Sequence, residues 1–509
     1  HLEFSVNAVN VTHDLEGGQA AIAQPTVSLD QDGVYVRSDL RSPMVMITIK
    51  EDNDYSSLTS GKTIKLILPE GILWPENATV FNNAYLTNAS SEGRVLYFTV
   101  FQEFPVNHSV ELQGENFMFN DFVKEDSVRL CVNNSDSITH VSSKTLRVGQ
   151  PELQFINSAN NYFVLNDEQV FLNEMYYKEI DSVGVALASE DIRIIISDTL
   201  GFIWDSTITN LLFSGSANSK ITDAVSYEDA NKVLVIHVSQ DFESGDSLSF
   251  EGMRILLNDI AFGKLRMRVN DFEDDDWINE NNLSVGDPSI SSSISQTFVI
   301  HDPDTESEVL IVQEANIPVI NSSNHIKIII PGELDMVWTR VPDFAGNQVL
   351  NINLDSTNIQ DESKTLFIYV HEDFSPNGNL ILSGGEFGNF NSRSFDKYGL
   401  ELHVNNVIPD EPDDMNESQI GIGEPSIFSE INGVYVISDG ESPIIPITIK
   451  EDALHPTLTT GKIITINLPL GLRLQWPEDV SSLNGLNSLI GIASVSDDRK
   501  QLLLPIINN

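Results

Sequence analysis

Short stretches in which polar and apolar residues alternate recur along the whole chain. Thr63-Ile64-Lys65-Leu66-Ile67-Leu68 is a clear example. A two-residue period places alternate side chains on opposite faces and marks a β-strand with one buried face. Between residues 25 and 150 the pattern predicts seven short strands, near 26–29, 34–37, 44–50, 62–68, 95–101, 109–113 and 128–133. Asp32-Gly33, Ser60-Gly61 and Pro69-Glu70-Gly71 separate them. No stretch carries the period of an amphipathic helix. Seven short strands in one such segment predict a two-sheet, all-β sandwich of immunoglobulin-like architecture, with the strand order left open.

The same pattern returns at long range. Gly33-Val34-Tyr35-Val36 recurs as Gly433-Val434-Tyr435-Val436, and Ile47-Thr48-Ile49-Lys50-Glu51-Asp52 as Ile447-Thr448-Ile449-Lys450-Glu451-Asp452, both at an offset of 400. Two weaker copies lie between, anchored on Pro25, Pro151, Pro288 and Pro425, whose spacings are 126, 137 and 137 residues. After each proline come a glutamate (Glu51, Glu179, Glu314, Glu451), an alternating strand and a tryptophan (Trp74, Trp204, Trp338, Trp476). Gly114, Gly252 and Gly384 form a later column, and the Val-Asn pairs at 132–133, 269–270 and 404–405 are expected to close each unit. Fixed-period similarity of this kind predicts tandem repeats. They run over 25–150, 151–287 and 288–424. Residues 1–24 are expected to be the C-terminal tail of a preceding repeat, because Val6-Asn7 matches the closing pair, and 425–509 the N-terminal part of a further one. Either flanking residues complete both partial units, or residues 2–7 of one copy insert as a strand into the last repeat of the next. The closing pair leads to the next proline through an acidic loop without a Gly/Ser linker, which predicts limited hinge freedom.

The combination of Ile47-Thr48-Ile49-Lys50-Glu51 with Gly61-Lys62-Thr63-Ile64-Lys65-Leu66-Ile67-Leu68-Pro69-Glu70-Gly71 resembles the repeated β-domains of S-layer-type and other large cell-surface proteins of anaerobic Firmicutes. Gly461-Lys462 and Leu468-Pro469-Leu470-Gly471 repeat the pattern; Ile192–Ile196 with Gly201, and Ile326–Ile330 with Pro331-Gly332, follow it loosely. The resemblance implies an exported scaffold and carries no catalytic residue with it.

Charge narrows the partners. With 28 Lys+Arg against 75 Asp+Glu, the formal net charge of -47 repels nucleic acid and anionic lipid. No apolar run is long enough for a transmembrane helix. Cys131, the one cysteine, excludes an internal disulfide framework. The ten histidines are scattered, and no metal-protease, nucleophile-elbow or phosphate-loop motif is present, so no enzyme is expected. Gly384-Gly385-Glu386-Phe387-Gly388 follows a strand without opening a helix and reads as a turn. The Asn-x-Ser/Thr triplets, among them Asn10, Asn77 and Asn321, are no more frequent than this Asn-, Ser- and Thr-rich composition provides.

Two sets of residues stand out as candidate sites. Asp271, Glu273, Asp274, Asp275 and Asp276, with Asp410, Glu411, Asp413 and Asp414, crowd the loops before Pro288 and Pro425 and are the expected ligands if calcium stiffens the repeat junctions. A solvated charge run is the plainer reading of both loops. The glutamate column sits at a strand end, where Glu51 shares the face of Ile49. If buried there it needs a metal or a hydrogen-bonding partner, such as backbone amides or Lys50. The tryptophan column suits a sandwich core. The expected function is an extracellular structural protein that self-associates into a surface layer, sheath or filament. The alternative is an adhesin-like stalk or an array of glycan-binding modules.

Overall fold

The computed structural model describes residues 21–508 except 38–42, 76–83, 88, 113–115, 134, 157–160, 166–168, 180–182, 189, 271–281, 324, 405–411, 438–439, 470 and 481–487. The chain divides into two compact units, one comprising 1–161 with 169–283 and the other 162–168 with 284–509. Among the described residues both units are built from strands, with short 3-10 turns as the helical elements. The chain is an all-β protein of tandem sandwiches.

In the first unit, the residues after Pro25 form two larger sheets and a two-stranded one that pairs Ile72–Leu73 with Met118–Phe119. Thr26–Leu29, Ile47–Lys50 and Ser109–Leu112 make one of the larger sheets. The other runs Gly33–Val36, His140–Gly149, Val123–Val132, Thr63–Ile67, Val95–Thr99 and Ser90–Glu92. Ile47, Ile49, Ile64, Leu66, Phe98 and Leu130 belong to the buried core these strands enclose. After Pro151 the plan returns: Pro151–Phe155, Met175–Glu179, Ser247–Glu251 and Leu212–Ser214 form one sheet, and Ile221–Glu228, Val233–Val238, Asp191–Ile196 and Leu265–Val269 another.

In the second unit, Ser289–Ser292, Leu310–Gln313, Asn379–Ser383 and Asp343–Ala345 pair as one sheet. A five-stranded sheet carries Ile326–Ile329 at its centre. After Pro425 the first pairing is reproduced in the same register, with Ser426 opposite Lys450 as Thr26 is opposite Lys50.

The structure differs from the sequence pattern at the close of each repeat. The Val-Asn pair is a strand end followed by a turn: Val132 and Val269 close their strands, and Asn133 and Asn270 adopt left-handed φ values of 65° and 57°, a conformation asparagine tolerates better than most residues. The chain then forms one more strand, His140–Gly149, which pairs antiparallel with Val123–Val132 and parallel with Gly33–Val36. Ile420–Gly423 lies parallel to Gln296–Val299 in the same way. Asn405 and Val6-Asn7 lie outside the described residues. The closing strand escapes a two-residue pattern because Ser142 occupies an inward position beside a register shift. There it accepts a hydrogen bond from Val128 N (3.1 Å) and donates one to Lys144 O (2.8 Å).

Candidate functional site

All four column glutamates hold the loop that follows their strand. Glu51 accepts hydrogen bonds from Ser57 N (2.9 Å), Leu58 N (2.6 Å) and Ser57 Oγ (2.7 Å). Glu179 accepts from Val185 N and Ala186 N, both 3.0 Å, and from the Tyr177 hydroxyl at 2.7 Å. Glu314 accepts from Val319 N (3.1 Å), Ile320 N (2.7 Å) and Ala315 N (2.8 Å). Glu451 accepts from Leu458 N (2.6 Å) and Thr457 Oγ1 (2.9 Å). A loop with no ladder partner leaves its N–H groups unsatisfied once buried, and a carboxylate can accept several of them at once. The side chains of Glu51, Glu179 and Glu314 are buried, whereas Glu451 is half-buried. Burial pushes the Glu314 carboxyl up to about 7 against its three N–H donors, and pushes Glu179 up as well.

The clamped loop in turn seats a closing strand. A Cβ added to Gly149 would lie 2.6 Å from Val185 Cγ1 and 3.2 Å from Val183 O. One on Gly286 would lie 2.5 Å from Ile317 O and 2.9 Å from Val319 Cγ1, and one on Gly423 would lie 2.5 Å from Thr457 Cγ2 and 2.6 Å from His455 O. Val185, Val319 and Thr457 are the residues whose N–H or hydroxyl the glutamates hold. The glycine that ends a closing strand and the glutamate that begins the next repeat therefore meet at one loop.

Around Gly423 the seat is polar. Asp452 Oδ2 accepts from Glu424 N (3.0 Å) and faces Arg393 Nε at 3.4 Å, while His455 Nε2 lies 3.0 Å from Ser394 O. Burial raises the Asp452 pKa, but the N–H groups of His455, Leu454 and Glu424 and the Arg393 charge outweigh it and hold the carboxyl below its ordinary value. The first repeat has the counterpart contact, Gln24 N to Asp52 Oδ2 at 3.0 Å. Gly149→Ala is expected to cost about 1–3 kcal/mol by overpacking. Adding Val185→Ala should recover most of that loss, because the two sites share one contact. Denaturant titration of the first unit's transition measures both variants.

The column tryptophans Trp74, Trp204, Trp338 and Trp476 are all buried. Trp74 and Trp204 donate to Arg94 O (3.0 Å) and Ile194 O (3.2 Å). A lysine column lies beside them; Lys364 and Lys500 align by their distance from the proline, but neither Lys232 nor the carbonyls these lysines hold were found in the sequence. Lys232 donates to Leu200 O and Phe202 O (2.7 and 2.8 Å), Lys364 to Leu334 O, and Lys500 to Leu472 O and Leu474 O (3.2 and 2.5 Å). The available signal was a Lys immediately before the strand that follows Trp204, Trp338 and Trp476, with Arg94 at that position after Trp74.

The candidate calcium ligands divide. Asp271, Glu273, Asp274, Asp275, Asp276, Asp410 and Glu411 lie outside the described residues. Asp413 is buried and accepts from Val404 N, and Asp414 accepts from Ile290 N at 2.7 Å, so both carboxylates are engaged with backbone. Among the described residues no three or more His, Cys, Asp or Glu side chains are placed to hold a metal ion. Cys131 is buried, and burial pushes its thiol up. Carboxylates spent on backbone N–H groups position loops, and that is the chemistry this arrangement provides.

No family model matches the chain, and no curated protein matches it. Solved structures with some likeness include the C-terminal domain of the Streptococcus pyogenes antigen I/II-family protein AspA (TM-score 0.30, 8% identity, 52% of this chain and 99% of that one). The C-terminal domain of the Streptococcus agalactiae antigen I/II polypeptide BspA scores 0.28, at 11% identity over 51% of this chain and 99% of that one. The full-length major pilin SpaD of Corynebacterium diphtheriae scores 0.26, at 8% identity over 79% of this chain and 96% of that one. Scores of this size describe a loose resemblance in strand packing, not shared ancestry or role.

Proposed function

We propose that the chain is a stalk: a run of β-sandwich repeats that spaces one part of an extracellular surface protein from another. The observation that carries this reading is the clamped loop, built four times on a buried or half-buried glutamate, with a closing-strand glycine seated against it at Gly149, Gly286 and Gly423. Each closing strand passes directly to the next proline, so a spacer of this design transmits load through strands rather than through a flexible linker. The net charge of -47 also favours a stalk over a close-packed layer, sheath or filament, since neighbouring arrays repel one another.

Pulling the 509-residue chain by its two ends tests the mechanical part. The expected trace is a series of separate rupture events, each releasing on the order of 40 nm of contour for a repeat of this length. Surface-shaving protease applied to intact cells of the source organism tests the location. A single rupture covering the whole chain, or peptides released only after lysis, would overturn the reading.

A further inference from the structure

We infer that Glu179 carries a proton in the folded second repeat, so that its clamp is a neutral carboxyl that grips in acid and loosens as the pH rises. The other three clamps supply the comparison, because in each of them the donors are divided between both carboxyl oxygens. Glu51 Oε1 accepts from Asp52 N (2.8 Å) and Ser57 Oγ, and Oε2 from Ser57 N and Leu58 N. Glu314 Oε1 accepts from Ala315 N, and Oε2 from Val319 N and Ile320 N. Glu451 Oε1 accepts from Asp452 N (2.7 Å) and Thr457 Oγ1, and Oε2 from Leu458 N. A carboxylate spreads its charge over both oxygens, and in these clamps both oxygens meet donors.

Glu179 departs from that plan. Val185 N, Ala186 N and the Tyr177 hydroxyl all converge on Oε1. Oε2 is buried and, among the described residues, has no hydrogen-bond partner. The residue as a whole is 0% exposed. Ionised, Glu179 would leave part of its charge on an oxygen that no donor stabilises. A proton on Oε2 removes that cost while Oε1 keeps its three donors.

The surrounding charges do not supply what Oε2 lacks. Asp246, whose backbone O accepts from Glu179 N at 2.9 Å, spends its carboxylate on Lys220 Nζ (2.8 Å), Glu243 N (2.6 Å) and Ser216 Oγ (3.2 Å). Lys220 also faces the Glu243 carboxylate at 3.5 Å. The closing strand of the first repeat brings Arg147, which faces Asp241 at 3.9 Å. Lys178 and Glu152 are paired positions on the outer face of the sheet. Burial pushes the Glu179 carboxyl above its ordinary value against Ala186 N, the Tyr177 hydroxyl and Val185 N, and the Asp246 charge adds to the rise. The folded repeat therefore holds a proton that the unfolded chain releases. Its contribution to stability is full below the ordinary carboxyl value and is lost as the pH rises through the raised one. Because the held loop carries Val183 and Val185, against which Gly149 seats, the same proton tightens the junction between the first two repeats.

Denaturant melts of the 509-residue chain between about pH 5 and about pH 7, read by pulsed hydrogen exchange at residues 183–187, test this against Glu179→Gln. Glutamine keeps the shape and the acceptor oxygen but has no proton to release. Relative to the variant, the wild-type folding constant of the second repeat should fall several-fold, at most about tenfold, per pH unit. At about pH 5 the two proteins should match. Parallel pH dependence, or a variant destabilised equally at every pH, would overturn the inference. A second measurement does not require that variant to fold. In Glu314→Gln protein labelled with carbon-13 at the glutamate Cδ, one carboxyl resonance should still be that of a protonated acid at about pH 6, where exposed glutamates are ionised. Its absence would likewise overturn the inference.

Discussion

Glu179→Leu is expected to destabilise the second repeat by roughly 3 kcal/mol, the largest effect of any single change at the clamped loops. The substitution keeps the volume and removes the acceptor for Val185 N, Ala186 N and the Tyr177 hydroxyl. Each buried donor left without a partner costs about 1–3 kcal/mol. Against that, the leucine does not suffer the desolvation that pushes the Glu179 carboxyl up, and recovering this term keeps the net loss at the lower end. The corresponding Glu451→Leu removes acceptors from a half-buried site where water can replace them, so about 1 kcal/mol or less is expected there. Denaturant melts of both variants, followed by hydrogen exchange at residues 183–187 and 455–458, separate the two. Equal losses would show that the carboxylate contributes through something other than the buried N–H groups.

The strands whose sequences alternate were legible. Thr63–Ile67, Val95–Thr99 and Ser109–Leu112 fall within the predicted segments because one face of each is packed and the other wet. The closing strand was not legible. Ser142 faces inward and meets its hydrogen-bonding needs locally, so the apolar half of the pattern is interrupted where the strand begins. Parallel pairing with Gly33–Val36 is a contact across more than a hundred residues that no local period encodes.

The glutamate column could be found by self-comparison, since each lies 26 or 28 residues after its proline. What it holds could not be found that way. Backbone N–H groups are present at every position, so an acceptor for them leaves no mark in the side-chain pattern. The junction glycines had a related problem. Gly149, Gly286 and Gly423 each lie two residues before a repeat proline, yet a residue without a side chain adds nothing to the polar–apolar pattern, and the structure uses it for close approach between a strand and a loop.

Trp204→Ala is expected to cost about 3–5 kcal/mol of the second repeat's stability, the range for truncating a large buried side chain that neighbours cannot collapse to fill. Trp204 is fully packed, its indole N–H donates to Ile194 O, and its strand pairs with Arg254–Leu257, so the indole links two sheets. Removing it also leaves Ile194 O without that donor, although this carbonyl lies in a ladder with Leu234 and Met267 and retains part of its bonding. Lys232 donates to Phe202 O in the strand that carries the tryptophan and to Leu200 O in the bend before it. The loss should therefore extend to that segment and appear as faster exchange across 200–204 and 232–236. The four tryptophans report on separate repeats, so the intensity lost on substitution identifies the melting transition of the second repeat in the wild-type chain. A loss below about 1 kcal/mol would mean that the site refills, and that packing around the indole is not what holds the repeat together.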